Sequence, residues 1–230
     1  MGKNLTKQAV VIGATGNLGK AICKELSNSG FKIDKKWLRK DRPDVLDVNA
    51  FKNLPKVIDA AIYVAGINKV ASFDKIKKKD FENVINVNLM GAVNFFKNAF
   101  KSLKKSKNSS CIVISSIMST HPYPNRAPYA ISKAALESLV KCLAVEWGQY
   151  NISTHAIRLG HLSSLMKTTK TNPFLLKKVQ KLTPTKKLIS TKEVAKYISF
   201  LTNGGCKSVS GATTEMDSGY TINRWPLQKS

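Results

Sequence analysis

The sequence predicts a doubly wound parallel α/β sheet, flanked by helices on both faces. Three observations carry that reading. A short β-branched run, Ala9-Val10-Val11-Ile12, leads at once into a glycine-spaced turn and then a helical pattern. The same alternation of short apolar strands and helical stretches continues along the chain, which argues for parallel strands joined by crossover helices. Neither an internal repeat nor a low-complexity linker interrupts it, so residues 1–230 read as one domain, long enough to bury a sizeable core.

Strands are predicted at 8–12, around 31–34, 44–47, 59–64, 111–115 and 153–158, with a last short one near 212–216. Each is a short apolar run of the kind buried on both faces of a parallel sheet. Helices are predicted at 17–29, 79–103, 128–148 and 192–202. The first carries Leu18, Ala21, Ile22 and Leu26 on one side. In the third, Pro128 suits the first helical position. Its apolar residues, from Ala130 and Ile131 to Leu143 and Val145, run around much of the circumference, which fits burial against a second subunit. Only 46 positions are available from Gly19 to Ala65, so the helix between strands two and three is expected to be shortened or missing.

Composition narrows the function classes. Hydrophobic residues make up 43% of the chain, and no apolar run reaches the ~18 residues of a membrane helix. The start, Met-Gly-Lys-Asn-Leu-Thr, has no apolar signal core. Cys23, Cys111, Cys142 and Cys206 form no C-x-x-C pair and lie in apolar segments. Buried free thiols in a reducing, cytoplasmic setting are the expectation. His121, His155 and His161 are too scattered for a metal site. The net charge of +24 is nearly all lysine, with arginine only at 39, 42, 126, 158 and 224. Because base-reading proteins lean on arginine, specific nucleic-acid binding is not expected, and the lysines read as a solvated surface.

Two motifs carry chemistry. Gly13-Ala-Thr15-Gly16-Asn17-Leu18-Gly19 sits between a strand and a helix, the context of a dinucleotide fingerprint. Free N–H groups at the helix start suit a pyrophosphate. A P-loop is excluded, because Ala14 stands where its first glycine belongs and Ala21 where its Ser/Thr belongs. Further along, Tyr129 and Lys133 are four residues apart, so on a helix they share a face. An ammonium beside a phenol favours the phenolate, tuning a tyrosine for proton exchange with a hydroxyl or carbonyl.

Taken together, the chain resembles the short-chain dehydrogenase/reductase family, including members that reduce 3-oxoacyl thioesters, over nearly its whole length. Asp47-Val48 resembles the family's adenine-contacting aspartate after the third strand, and Asp59 through Ala65-Gly66 its fourth strand. Asn88, within Asn86-Val-Asn88-Leu-Met-Gly91, matches the family's helix asparagine, and Ser116, thirteen residues before Tyr129, its catalytic serine. Glu193-Val-Ala195 and Asp217-Ser-Gly219 resemble the C-terminal blocks. Three departures stand out. The glycines are spaced three and three, Tyr63-Val64 replaces paired asparagines, and Leu159-Gly160 replaces Pro-Gly.

The resemblance implies a Rossmann-like fold holding NAD(P), with Asn88, Ser116, Tyr129 and Lys133 as the catalytic group. Gly13 to Gly19, Asp34, Asp47, Val48, Ala65, Gly66, Gly160, Leu162 and Ser164 would hold the cofactor, alongside Tyr129 and Lys133. Met118 and Tyr123 would join Ser116 and Tyr129 on the substrate side, and 161–190 would form a lid. Asp34 favours NAD, whereas Lys35, Lys36, Arg39, Lys40 and Arg42 favour the 2′-phosphate of NADP, and the balance tips to NADP. The expected substrate is a small carbonyl or secondary alcohol, and a 3-oxoacyl thioester fits. Two other readings stay open: a keto-sugar or cell-surface-precursor reductase, and a nucleotide-sensing or polyanion-binding protein with vestigial catalysis. Family likeness also implies a homotetramer or homodimer.

Overall fold

The computed structural model describes residues 6–39, 41, 43–47, 49–164 and 173–223. Six strands form one fully parallel sheet: β1 (Lys7–Ile12), β2 (Phe31–Ile33), β3 (Ala60–Tyr63), β4 (Ser109–Ser116), β5 (Ile152–Leu159) and β6 (Ala212–Met216). Their order is β2-β1-β3-β4-β5-β6. The chain runs outward from β1 to β2, then returns to the far side of β1 to make β3. The β1/β3 crevice is therefore the topological switch point, where open α/β sheets bind ligands beyond the carboxyl ends of their strands. β4 is buried along its whole length, as a central parallel strand between two helix layers must be.

The helices are α1 (Asn17–Asn28), α2 (Lys78–Ile85), α3 (Gly91–Leu103), α4 (Ala127–Trp147), α5 (Pro173–Leu182) and α6 (Thr191–Thr202). α1 and α6 pack on each other, and α2 and α4 likewise, with α4 also lying along β4 and β5. A capping box at Ser190 and Glu193 starts α6. The helix predicted over 79–103 is divided. Between α2 and α3 the chain makes a π turn, Asn86–Met90, a device frequent at functional sites. Tyr63 Oη donates to the Val87 carbonyl inside that turn at 2.5 Å, satisfying a group that regular helical pairing leaves loose.

The strand predicted at 44–47 is absent. Instead, the Asp44 carboxylate accepts from the Leu46 amide at 3.0 Å, and that of Asp47 from the Asn49 amide at 2.8 Å. Such side-chain turns offer the backbone an alternative to a ladder, and here they win. The second crossover helix is reduced to a 3₁₀ turn, Lys35–Leu38, whose Lys36 amide is capped by Asp34. Trp37 and Phe51 fill the space, stacked with centroids 5.2 Å apart, and Phe51 continues to Phe95 at 5.5 Å. Cys23 and Cys111 are buried as expected, but Cys142 is exposed and Cys206 half-buried, because α4 turns Cys142 away from the sheet. Ile131 and Val145 are also exposed on α4, at 48% and 85%. No helix among the described residues is long and apolar enough to cross a membrane.

Trp37 has no exposed surface, so its indole stands in for the missing crossover helix. Trp37→Ala is expected to cost about 3–5 kcal/mol in urea unfolding at pH 7. A loss below ~1 kcal/mol would show that this packing is dispensable.

Candidate active site

The glycine turn brings β1 to the cleft. Gly13 has φ +90°, and a Cβ there would lie 2.6 Å from the Ala65 amide nitrogen, so β1 and β3 leave the sheet in near contact. α1 then begins at Asn17 with Gly16 as its N-cap. Neither a capping side chain nor an acidic residue occupies its first turn. Its leading N–H groups therefore remain available to an anion, with the helix dipole behind them.

A cleft of about 720 Å³ opens above this crevice. From the glycine turn it is lined by Gly13, Thr15, Gly16, Asn17, Leu18 and Gly19, and from the end of β3 by Ala65 and Gly66. Ser116, Tyr129 and Lys133 form the next part of its wall, followed by Gly160, Leu162 and Ser164. Residues from seven separate stretches of chain thus share one cavity. Its shape, with a glycine-lined anion cradle at one end and proton-active groups at the other, fits a dinucleotide.

Tyr129 and Lys133 sit one turn apart on α4, and the Lys133 Nζ lies 5.4 Å from the Tyr129 ring centroid. Lys133 is 4% exposed and donates to the Ile114 carbonyl of β4 at 2.7 Å. Burial pushes its ammonium down from an ordinary value of 10.5 to about 8. Burial also raises the Tyr129 phenol above its ordinary value, against opposing contributions from the Ser116 hydroxyl and the Arg126 charge. Desolvation therefore outweighs the phenolate-favouring influence expected of Lys133. Ser116 Oγ accepts from the Met118 amide at 3.2 Å, and its hydroxyl also bonds the Tyr129 phenol.

Asn88 is fully buried behind the cleft. Its Oδ1 accepts from the Ile67 amide at 2.8 Å, and its Nδ2 donates to the Ile67 carbonyl at 3.0 Å and to Ser132 Oγ at 2.9 Å. Both amide hydrogens are thus committed, and the side chain braces the segment after β3 against α4. Ser132 passes the brace on to the Tyr129 carbonyl at 2.7 Å.

Other expected residues fall elsewhere. The Asp34 carboxylate accepts from the Lys36 amide at 3.1 Å and does not line the cleft. Asp47 is exposed and turned to Asn49, and Val48 lies outside the described residues. In their place Asp44 and Val45, with Pro43, form the cleft wall. The dipeptide Asp-Val occurs twice, at 44–45 and 47–48, and among the described residues it is the first copy that lines the cleft. Met118 and Tyr123 do not line the cleft either. The Tyr123 hydroxyl meets His161 Nε2 at 3.3 Å and Tyr220 Oη at 3.1 Å, in a cluster that sequence reasoning missed. Of the proposed lid, 165–172 lies outside the described residues. No group of metal-binding residues occurs among those described.

A family model described as enoyl-(acyl carrier protein) reductase matches residues 48–221. The chain belongs to the short-chain dehydrogenase/reductase family, NAD(P)-dependent oxidoreductases that act on CH–OH and C=O groups. The acetoacetyl-CoA reductase of Acinetobacter is 25% identical to it, covering 94% of this chain and 98% of that protein. The 3-oxoacyl-[acyl-carrier-protein] reductase FabG of Thermotoga maritima is 30% identical, covering 72% of this chain and 67% of the relative. Among solved structures, a gluconate 5-dehydrogenase from Burkholderia cenocepacia, in complex with NADP and tartrate, superposes with a TM-score of 0.83. It is 22% identical over 94% of this chain and 95% of its own.

The depressed Lys133 has a stability consequence. Between pH 8 and 10.5 the unfolded chain holds a proton there that the folded chain has released, so stability rises with pH across that window. Below pH 8 the full penalty stands, on the order of 3 kcal/mol. Lys133→Met is expected to unfold at higher urea than wild type at pH 7, with the gap narrowing towards pH 10. A variant less stable than wild type at both pH values would overturn this assignment.

Proposed function

We propose that this protein is a carbonyl reductase that uses NADP and takes a 3-oxoacyl thioester as substrate. The observation carrying the reading is the convergence of Ser116, Tyr129 and Lys133 on one wall of the glycine-turn cleft. Bound cofactor would supply the hydride, and the chain's own groups handle orientation and the proton. The phenol of Tyr129, kept protonated near neutral pH by burial, donates to the oxygen as it gains negative charge. Ser116 donates to the same oxygen and steadies the charge. Lys133 offers its ammonium to the phenolate left behind and to the nicotinamide ribose. Asn88 holds the segment at Ile67 and the Tyr129 turn in register. Ala65 and Gly66, with Gly160, Leu162 and Ser164, would flank the cofactor, and Asp44-Val45 would take the adenine contact assigned by resemblance to Asp47-Val48.

NADP is favoured over NAD because Asp34, the acid suited to a ribose 2′-hydroxyl, spends its carboxylate on the Lys36 amide. The large positive excess also suits an additional phosphate. A 3-oxoacyl thioester is favoured by the named activities of the curated relatives. Residues 161–190 would close over such a substrate as a lid. The exposed apolar residues of α4 favour assembly into a homodimer or homotetramer, and sedimentation as a monomer would remove that part of the proposal.

A panel comparing acetoacetyl-CoA with keto-sugars, followed by loss of NADPH and NADH absorbance, tests the substrate. Turnover of keto-sugars alone would favour a sugar-modifying reductase instead. Tyr129→Phe is expected to lower turnover by about 10²–10⁴-fold while NADPH still binds. Unchanged turnover in that variant would end the proposed mechanism. In fluorescence titrations NADPH is expected to bind about tenfold more tightly than NADH, and the reverse order would overturn the choice of NADP.

A further inference from the structure

Tyr129, Lys133 and Glu137 follow one another at intervals of four along α4, so a carboxylate continues the face that bears the proton-active pair. Glu137 is 7% exposed and does not line the cleft. Its Oε1 accepts from Ser115 Oγ and from Ser119 Oγ, each at 2.7 Å. These are the residues immediately before Ser116 and three after it, on either side of the turn that presents the serine. Ser115 Oγ also lies 3.2 Å from the Lys133 carbonyl, which it approaches as a donor.

Arg158 of β5 fixes the carboxylate in turn. Its Nε donates to Oε1 at 3.0 Å and its Nη2 to Oε2 at 2.7 Å, a two-point grip. Arg158 stands opposite Ser115 in the β4–β5 register and opposite Glu215 in the β5–β6 register. Its Nη1 donates to Glu215 Oε2 at 2.9 Å. Only an ionised carboxylate, which accepts and never donates, can receive all four bonds made to Glu137. Burial would raise its pKa, but the bonds from Arg158, Ser115 and Ser119 outweigh that and hold it below the ordinary value.

We propose that Glu137, oriented by Arg158, is a positioning residue that sets Ser116 against Tyr129 by gripping the chain on both sides of the serine. A pair serving only to fasten α4 to the sheet would need Arg158 alone. The two serine hydroxyls do something more specific, since they tie the Ser116 turn to the helix that carries Tyr129 and Lys133. Arg158 is followed by Leu159-Gly160, so the same clamp fixes the opposite wall of the cleft. Displacement of a reacting group by about 1 Å is enough to slow chemistry severely.

The proposal rests on the reductase reading, and its test keeps the two apart. Full-length protein carrying ¹³Cζ-tyrosine is examined by NMR at pH 7.5, with Tyr129→Phe assigning the Tyr129 resonance and Ser116→Ala marking its position without the serine hydroxyl. Glu137→Gln, and the milder Ser115→Ala/Ser119→Ala pair that leaves Arg158 and Glu137 in place, are expected to move the resonance towards the Ser116→Ala position. With acetoacetyl-CoA and NADPH, kcat is expected to fall about tenfold or more in both, with the NADPH dissociation constant unchanged. A Tyr129 resonance at the wild-type position in the double serine variant overturns the clamp, whatever the melting temperatures do. A wild type that oxidises neither cofactor with any carbonyl compound removes the reductase reading, and the resonance still decides the clamp.

Discussion

Lys133 enters the sheet–helix boundary as a charged group with almost no water around it, and the site is arranged around that fact. The ammonium has the Ile114 carbonyl of β4 as its hydrogen-bond acceptor, a contact that exists only while α4 lies on β4, and the Tyr129 ring of its own helix lies beside it. Burial that makes the ammonium easier to deprotonate also keeps the Tyr129 phenol protonated. One desolvated interface therefore sets the protonation of both groups. A site that spends stability to hold a charge in this way is typical of function placed on a fold that must also be stable.

The second support is the π turn between α2 and α3. Where the family has asparagine, this chain has Tyr63, and its phenol reaches the Val87 carbonyl in the π turn. Gly91 allows that approach, because a Cβ there would meet the Tyr63 hydroxyl at 2.2 Å. Asn88, lifted inward by the same turn, then clips Ile67 to α4 through Ser132. A departure from the family pattern thus comes with its own compensation. The shortened second crossover is handled likewise, with Trp37 and Phe51 supplying bulk that a helix would otherwise provide.

Much of this was legible in the chain. Runs such as Ala9–Ile12, and the four-residue spacing of Tyr129, Lys133 and Glu137, are local patterns with local geometric consequences. Glu137 itself lay in plain view at that spacing, but nothing in one dimension shows that Ser115, Ser119 and Arg158 converge on it. The absent strand at 44–47 failed for a different reason. Its two adjacent apolar residues, Val45 and Leu46, suggest a short strand, yet Asp44 and Asp47 bond to amides two residues on and close turns. The repeated Asp-Val pair then made either copy eligible for the cleft, and only the tertiary structure shows Asp44 on its wall.

By itself the sequence determined the alternation of strands and helices, the glycine turn opening α1, and which side chains share a helix face, because these depend on bonds and contacts a few residues apart. Tertiary structure decided which way Asp34 turned, which aspartate met the cleft, where helix 79–103 took in its π turn, and what Lys133 and Tyr129 do with their protons. Those outcomes depend on desolvation and on hydrogen-bond partners distant along the chain, quantities that have no value until the sheet has assembled.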